Sequence, residues 1–556
     1  NIEIKGNVTD GSGNLPLPGV NVVVKNTTRG TTTDFDGNYM IKVNPNEILV
    51  FSFVGYESQE IAVSENTTIN VILNEENKSL DEVVVVGYGT QKKSVVTGAI
   101  SSLKAKDIEN IPNSGRVEQA LQGRTSGVII ASNSGQPGTA ATVRVRGITT
   151  FDTYGGNNPL WVVDGVIVES SGIGFINQND IESIEVLKDA ASLAIYGSRA
   201  ASGVILITTK KGKSGKISVN YTGFAGVSSA AKKLEMLNAT EYAALMNERS
   251  VASGGNIIFS DLSSLGRGTD WQSYIFDDSA KRSSHELSVS GGNDKSTFYL
   301  SFGLIDQEGI VLPEISKFNK KNIRINSTHK ISEYFTVGQT LGYSHQKSVG
   351  IGNTNSEFGG PLSSAINLDP ITPVIETDPV LINQTPYFSN PVIRDSFGNP
   401  YGISNFVGQE MSNPLAYAQT RLGHFGWSDD FVGNAFLEIK TPIEGLKIRS
   451  SIGGKMAFWG GEGFTPEFYL NASLLTLQNN YGRSINKTFG WNIENTISYS
   501  KSFDKHNLEA MIGQGAYVDN ITSGSSTTYF DLPINNYQDA SFNFDISQEN
   551  IAAQAW

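Results

Sequence analysis

From residue 214 onward, apolar and polar side chains alternate along segments of about ten residues or more. In Lys216–Ser228, for example, Ile217, Val219 and Tyr221 fall on one face of an extended chain and Ser218 falls on the other. A period of two is the signature of a β-strand with one apolar face. It predicts strands at Lys216–Ser228, Ser284–Gly291, Ser296–Ile305, Lys321–Lys330, Tyr334–His345, Asp430–Lys440, Gly445–Phe458, Lys487–Ser500 and Asn507–Tyr517.

These strands fit either a large soluble sandwich or a membrane barrel, because both need one apolar face on each strand. Lengths near ten residues, aromatic residues at strand ends and tight polar turns such as Gly292-Asn293-Asp294 favour the barrel. In a barrel the apolar faces would contact outer-membrane lipid, and the charged faces would line a wet interior.

The connections between these strands alternate in length. Ile331–Glu333 and Thr441–Glu444 are short, as periplasmic turns are, whereas Ser229–Arg282 and Lys347–Asp429 are long, as extracellular loops are. The second long loop is either an irregular surface or a docking or lid surface. Nine strands cannot close in lipid, and plugged barrels have about 22, so we expect the N-terminal portion of a longer protein.

The first 213 residues have a different pattern. Residues 1–73 contain short strands separated by Gly, Asn and Asp turns, at Ile2–Val8, Gly19–Lys25, Tyr39–Val43, Ile48–Phe53, Gln59–Val63 and Thr68–Leu73, and these predict a small β-sandwich. Residues 94–213 mix strands with helices expected at Arg116–Leu121 and Ala190–Tyr196, the second with Asp189 as its N-cap.

Between these two domains, residues 74–93 form a linker that contains four consecutive valines, Val83–Val86, after an acidic lead. Four β-branched residues in a row favour an extended strand. The strand either connects two domains or stays exposed so that a partner can pair with it through main-chain hydrogen bonds.

Composition excludes several function classes. The 556 residues contain no cysteine, which excludes disulfides and thiolate metal sites, and a net charge of −13 argues against nucleic-acid binding. No run of about 18 apolar residues predicts a transmembrane helix. The Lys211–Ser214 sequence lacks the upstream glycine of a phosphate loop, and no Gly-x-Ser-x-Gly is present. We expect no enzyme, no cofactor and no metal site.

Three motifs occur in an order that resembles a known family. The sequence from Val8 to Val43 resembles the carboxypeptidase-regulatory-like domain. The sequence from Asn157 to Gly212, together with LQGRTSGV and ATVRVRGITT upstream, resembles the plug domain of TonB-dependent outer-membrane transporters. In that light, DEVVVVGYGTQKK resembles the TonB-box region of the SusC/RagA subfamily.

The resemblance implies a mainly β protein. It would have a regulatory-like sandwich at 1–73, a linker with the TonB-box-like strand at 74–93, an α/β plug at 94–213 and the first part of a large antiparallel transmembrane barrel at 214–556. It also implies the outer membrane of a Gram-negative, Bacteroidetes-like cell. The implied function is active import of an oligosaccharide or oligopeptide, which the residues do not separate. A non-transporting surface-binding or assembly barrel is the alternative.

The implied partners are TonB with its inner-membrane energising complex, a SusD-like surface lipoprotein that lids the barrel, and the glycan or peptide ligand. The expected TonB contacts are Asp81, Glu82, Val83, Val84, Val85 and Val86. The expected outward loop of the plug is Thr149–Pro159, with candidate ligand contacts Phe151, Asp152, Tyr154, Asn157 and Asn158. Candidates for ion pairs within the plug or with the barrel are Arg144, Arg146, Glu182, Glu185 and Arg199.

Overall fold

The computed structural model describes residues 2–11, 15–25, 27, 29–45, 47–53, 56, 58–63, 67–73, 83–86, 89–92, 100–108, 115–132, 134–151, 156–168, 170–189, 193–352, 360–503, 506–534, 536–540 and 551–555. The chain divides into two compact units. One comprises Asn1–Val84 with Gln91–Val96, and the other comprises Val85–Thr90 with Thr97–Trp556.

The first unit contains a sandwich of two sheets. Its strands are β1 (Ile2–Asp10), β2 (Asn21–Val24), β3 (Gly30–Thr32), β4 (Asn38–Val43), β5 (Ile48–Ser52), β6 (Gln59–Ala62) and β7 (Val71–Leu73). They form the sheets β4-β1-β7 and β3-β2-β5-β6. Alternate residues of each sheet are buried in a shared apolar core, where the rings of Tyr39 and Phe51 pack edge to face at 5.3 Å. The sequence predicted six of these strands and missed β3, which has only three residues.

The valine run forms β8 (Val83–Val86), which pairs with β9 (Gly89–Lys92) in a two-stranded sheet. The predicted extended conformation is therefore confirmed. Asp81 and Glu82 lie outside the described residues.

The second unit begins with a five-stranded mixed sheet. Its members are β10 (Ile100–Lys104), β13 (Leu160–Val163), β14 (Val166–Val168), β15 (Ile181–Leu187) and β16 (Val204–Thr209), in the order β10-β15-β16-β13-β14. β11 (Val128–Ala131) and β12 (Thr142–Val145) form a separate hairpin. Two short helices, α1 (Ala105–Ile108) and α2 (Val117–Ala120), precede it. Buried aliphatic residues around Trp161 form the core of this domain.

The helix predicted at Ala190–Tyr196 is described only from Leu193 onward. Leu193 is helical, and its backbone N–H donates to the Asp189 carbonyl oxygen at 3.1 Å, which agrees with a helix that begins after Asp189. The predicted α-helix does not continue as such, because Ala194–Ala200 form a 3-10 segment. Gly197 has a φ of 67° inside it, a conformation that interrupts α-helical hydrogen bonding. Further 3-10 turns lie at Ser170–Phe175 and Gln178–Asp180.

The rest of the second unit is dominated by a ten-stranded sheet whose long strands are antiparallel and follow chain order, interrupted only by a small hairpin. Its strands are β17 (Gly215–Ser228), β18 (Ala280–Gly292), β19 (Ser296–Glu308), β20 (Lys317–Lys330), β21 (Phe335–Val349), β22 (Phe425–Lys440), β23 (Leu446–Thr465), β26 (Asn480–Phe503), β27 (His506–Phe530) and β28 (Ile551–Ala555). The hairpin consists of β24 (Phe468–Asn471) and β25 (Leu474–Thr476). All nine predicted strands are present, and most are longer than predicted.

The long loops carry the remaining helices. These are α3 (Ala239–Ala252), α4 (Trp271–Ile275), α5 (Pro361–Asn367), α6 (Pro379–Ile382) and α7 (Pro414–Gln419), with a 3-10 turn at Pro313–Ile315. Asn238 and Glu241 form a capping box at the start of α3. None of the helices in the described part of the chain is long and apolar enough to cross a membrane.

The two faces of the ten-stranded sheet have opposite polarity. On β20, Ile323 and Ile325 are exposed on the outer face, whereas Lys320, Arg324 and Asn326 on the inner face are almost fully buried. The inner face is buried because it packs against the domain that precedes it. This arrangement is the reverse of a soluble protein, and it supports the barrel prediction over the sandwich.

The outer face provides a direct test of this assignment. Ile325 lies between Leu300 and Leu341 on the neighbouring strands, so Ile325→Arg places a charge in the centre of the apolar face. We expect it to lower the free energy of unfolding in phospholipid vesicles by roughly 2–4 kcal/mol, measured by urea titration of the full-length protein. The same substitution at Ile331, an exposed residue in the turn after β20, should have little effect. Equal losses would contradict a lipid-facing surface.

Candidate functional site

The inner face of β19 and β20 meets the five-stranded domain through buried polar groups. Asp180, at the end of a 3-10 turn, is 1% exposed, and its Oδ1 accepts hydrogen bonds from Tyr299 Oη (3.0 Å) and Ser301 Oγ (2.5 Å) on β19. Nearby, Asn177 Nδ2 donates to Asn322 Oδ1 at 3.3 Å. Buried polar groups need such partners, so these residues fix the domain against the sheet.

Arg324 on β20 lies between two carboxylates of that domain. Its Nη1 lies 3.2 Å from Asp164 Oδ2, and its Nε lies 3.8 Å from Asp180 Oδ2. All three side chains are almost completely buried. Removing one partner from such a buried set leaves an uncompensated charge, which is strongly destabilising.

The hairpin turn between β13 and β14 explains the position of Asp164. Asp164 and Gly165 both have positive φ values, 49° and 85°, as the Asp-Gly pair of a two-residue hairpin turn requires. The Asp164 carboxylate accepts hydrogen bonds from the backbone N–H and the Oγ1 of Thr209, at 3.0 and 2.7 Å. Asn326 Nδ2 in turn donates to Thr209 Oγ1 at 3.0 Å.

Lys320 adds a second cation to this interface. It is 0% exposed, and its ammonium donates to the backbone carbonyls of Ile176 (2.7 Å) and Gly115 (3.2 Å). We call this interface the plug seam and define it by Asp164, Asn177, Asp180 and Thr209 on the domain and by Tyr299, Ser301, Lys320, Asn322, Arg324 and Asn326 on the sheet. The plug seam is polar and charged although it is buried, whereas most buried contacts in proteins are apolar.

The residues proposed from sequence for ion pairs lie elsewhere. Arg144 Nη1 donates to Asn158 Oδ1 at 2.5 Å, and Glu182 is exposed. Arg199 contacts the sheet through the ring of Tyr517, 3.5 Å from the ring centre. Burial raises the pKa of Glu185 to about 7. Arg146 adopts a φ of 58°, and no described ion pair includes it.

Sequence reasoning missed the four charged residues of the plug seam, Asp164, Asp180, Lys320 and Arg324. Two signals were available. Asp164-Gly165 is a strong hairpin-turn signature, and Arg324 falls on the polar face of the predicted strand Lys321–Lys330. Neither signal shows which carboxylate meets which cation.

The predicted outward loop, Thr149–Pro159, is only partly described. The Phe151 ring is fully exposed. Asn157 is 8% exposed and organises the loop instead, because its Oδ1 accepts from the backbone N–H groups of Thr149 (2.7 Å) and Thr150 (3.0 Å). Asp152 and Tyr154 lie outside the described residues. Ligand contact by this loop stays a prediction.

No group of three or more histidine or acidic side chains among the described residues is arranged to hold a metal ion. The contacts of the plug seam are hydrogen bonds and ion pairs.

Comparison with known proteins places these features in a family context. Residues 4–85 match the CarboxypepD_reg-like domain, and residues 92–204 match the TonB-dependent Receptor Plug Domain. The five-stranded domain that carries the plug-side residues of the seam is thus the plug.

Curated relatives match over most of the chain. It is 36% identical over 502 residues to TonB-dependent receptor P26 of Formosa agariphila, covering 89% of this chain and 47% of the relative. It is 34% identical over 532 residues to TonB-dependent receptor SusC of Bacteroides thetaiotaomicron, covering 92% and 50%. The chain thus spans about half the length of these relatives, which are receptors rather than enzymes.

Solved structures give the same fold. The RagAB peptide importer in its open-open state superposes with a TM-score of 0.65 at 23% identity, covering 85% of this chain and 53% of that chain. Its closed-closed state gives 0.66 at 20% identity, covering 83% and 52%. The chain belongs to the SusC-like TonB-dependent receptors, with a plug domain that a carboxypeptidase-regulatory-like domain precedes in the sequence.

Proposed function

We propose that the protein of which this chain is part actively imports an oligosaccharide or oligopeptide across the outer membrane of a Gram-negative, Bacteroidetes-like cell. The observation that carries this proposal is a folded plug held to the inner wall of a barrel sheet by buried polar contacts at the plug seam. Such contacts can be exchanged for water when the plug moves. Relatives in Bacteroides and Formosa support the location.

In this proposal, the valine strand β8 connects the plug to TonB, which supplies the energy for import. In a two-stranded sheet each strand has one edge that its partner does not cover, so β8 keeps main-chain groups for a third strand. TonB would add to β8 by strand pairing, and the four valines would keep the segment extended. Asp81 and Glu82 would keep it soluble before capture.

A SusD-like surface lipoprotein would cover the barrel, and the long loops that precede β18 and β22 are its proposed docking surface. The RagAB structures are of a peptide importer, and the SusC relative is named as a TonB-dependent receptor. Neither name fixes the ligand of this chain, so glycan and peptide both remain within the proposal.

Deleting Asp81–Val86 tests the coupling. We expect the deletion to abolish energised uptake of radiolabelled ligand and to leave ligand binding to isolated membranes unchanged, because the strand pairs with TonB and takes no part in the ligand site. Deleting residues 75–80 shortens the same linker by six residues and is the matched control. If uptake survives the deletion of Asp81–Val86, coupling through the valine strand is contradicted. If wild-type cells bind the ligand but show no energised uptake, the protein is a surface-binding or assembly barrel.

Mass spectrometry tests the partner. Gentle detergent purification of the full-length protein from native outer membranes should recover a surface lipoprotein in equal amount, together with bound glycan or peptide. Recovery with large secretion or surface components and no small ligand would contradict the import proposal.

The plug seam gives a third test. Arg324→Met leaves Asp164 and Asp180 buried without their cation, and we expect it to weaken plug seating by about 3–5 kcal/mol. The readout is increased sensitivity of cells to large antibiotics that the outer membrane normally excludes. Adding Asp164→Asn and Asp180→Asn to the Arg324→Met variant should partly restore the exclusion of these antibiotics. In the triple variant these two carboxylates are no longer left charged without Arg324.

Arg449→Met is the matched control for this substitution. Arg449 belongs to the same sheet, but its guanidinium lies over the Phe436 ring at 3.8 Å and the side chain is 40% exposed. Equal sensitivity in the two single variants would show that the plug seam does not hold the plug.

A further inference from the structure

A second polar site lies on the inner wall, away from the plug seam. It is a cavity of about 460 Å³ at the end of the sheet where the long loops leave, which we call the long-loop end. Glycines and short hydroxyl side chains make up much of its wall, including Ser348, Thr465, Ser484 and Ser526. Gln136, from the plug, and Arg421 and His424, from the segment before β22, also line it.

Three glycines make room for these three polar side chains. A Cβ on Gly350 would lie 2.6 Å from Gln136 Nε2, one on Gly352 would lie 3.1 Å from Arg421 Cζ, and one on Gly463 would overlap His424 Nδ1. Gly352 also has a φ of +81°, which other residues rarely adopt. The cavity is therefore shaped by sequence around a guanidinium, an imidazole and an amide.

Arg421 differs from the other basic side chains of this region because no anionic partner for it lies within the described part of the chain. Its Nε is buried and makes no hydrogen bond, and none of the ion pairs among the described residues includes it. Basic side chains toward the same end of the sheet do have partners, namely His345 with Asp429 and Arg483 with Glu462. A buried donor without an acceptor is destabilising, so Arg421 would gain from an anionic ligand.

The other basic side chains of the cavity already have partners, so they do not compete with Arg421 for an anionic ligand. Burial, followed by the neighbouring Arg421, holds the pKa of His424 below its usual range. Its imidazole donates through Nε2 to the Phe464 carbonyl oxygen at 2.8 Å. Arg483 and Glu462 also line the cavity, but they pair with each other at 3.1 Å. Arg421 is thus the cation of the described lining whose charge is left for a ligand.

We propose that this cavity binds a carboxylate group of the imported ligand through the guanidinium of Arg421. This inference rests on the proposed import function and narrows its substrate to acidic ligands. A planar guanidinium matches a carboxylate with two parallel hydrogen bonds, and such charge-assisted bonds are stronger than neutral ones. The hydroxyl and amide groups of the wall would bind the neutral part of the same ligand.

Two kinds of ligand carry this chemistry, a uronic acid in an oligosaccharide and a carboxylate in a peptide. Either would contact both the segment before β22, through Arg421, and the plug, through Gln136. A ligand in the cavity would therefore contact the plug directly, and the plug is the domain that must move during import.

Calorimetry with the full-length protein in detergent tests the proposal. The probes are trigalacturonate with maltotriose as its neutral counterpart, and triglutamate with triglutamine as its neutral counterpart. We expect one acidic probe to bind more tightly than its neutral counterpart, and its affinity to fall as salt is raised. Which pair shows the preference identifies the ligand as a saccharide or a peptide.

Arg421→Gln should weaken binding of the preferred acidic probe by about 10- to 100-fold, as expected for loss of a charge-assisted hydrogen-bonded pair. It should leave the neutral counterpart unaffected. Arg394→Gln is the matched control, because Arg394 is an exposed arginine of the same loop that donates to the Gly398 carbonyl at 2.9 Å.

The inference is overturned if wild type shows no preference for either acidic probe, if Arg421→Gln binds as wild type does, or if acidic probes bind only after Glu462→Gln. The last result would mean that the carboxylate of the cavity itself keeps anionic ligands out. Failure of the import function has a different signature. In that case acidic probes bind with the expected Arg421 dependence, but wild-type cells show no energised uptake of the ligand.

Discussion

Each long strand of the ten-stranded sheet separates an apolar surface from a polar one, and the rest of the structure follows from that constraint. An apolar outer face suits lipid, so charged and amide side chains accumulate on the inner face. Once the plug covers that face, Lys320, Arg324 and Asn326 are cut off from bulk water. They then need partners on the plug, and Asp164, Asp180, Thr209 and backbone carbonyls provide them.

Strand alternation was the part of the fold that the sequence determined best, because lipid on one side enforces it residue by residue. All nine predicted strands were confirmed. The predicted strands are mainly too short at the long-loop end, where strands such as β23 and β26 extend beyond the predicted ranges. There the sequences include glycine-rich stretches such as Gly460–Gly463 and polar runs, and alternation weakens because a strand that projects beyond the lipid no longer needs one apolar face.

The candidate site was harder to predict for a physical reason. Arg324 and Asp164 are 160 residues apart in the chain, and only the docking of the plug inside the sheet brings them together. Charge alone drew attention to Arg144, Glu182 and Arg199, which are equally basic or acidic but lie outside the seam. By contrast, the extended state of Val83–Val86 depends on local side-chain crowding and was predicted correctly. Its role in pairing is not a local property, so it stays a prediction.

The plug uses two kinds of contact for two purposes. Its interior is apolar, with Trp161, Ile184 and Ile205 fully buried, and exposing such surface to water is costly for each side chain. Its contact with the barrel wall at the seam is polar, and the net stability of an intramolecular hydrogen bond is modest once water is available to replace it. Entry of water would therefore loosen the plug seam well before it loosened the plug core. If TonB pulls on β8 as proposed, the force would release the plug from the wall before the whole domain unfolds, because the seam is the contact that water can replace.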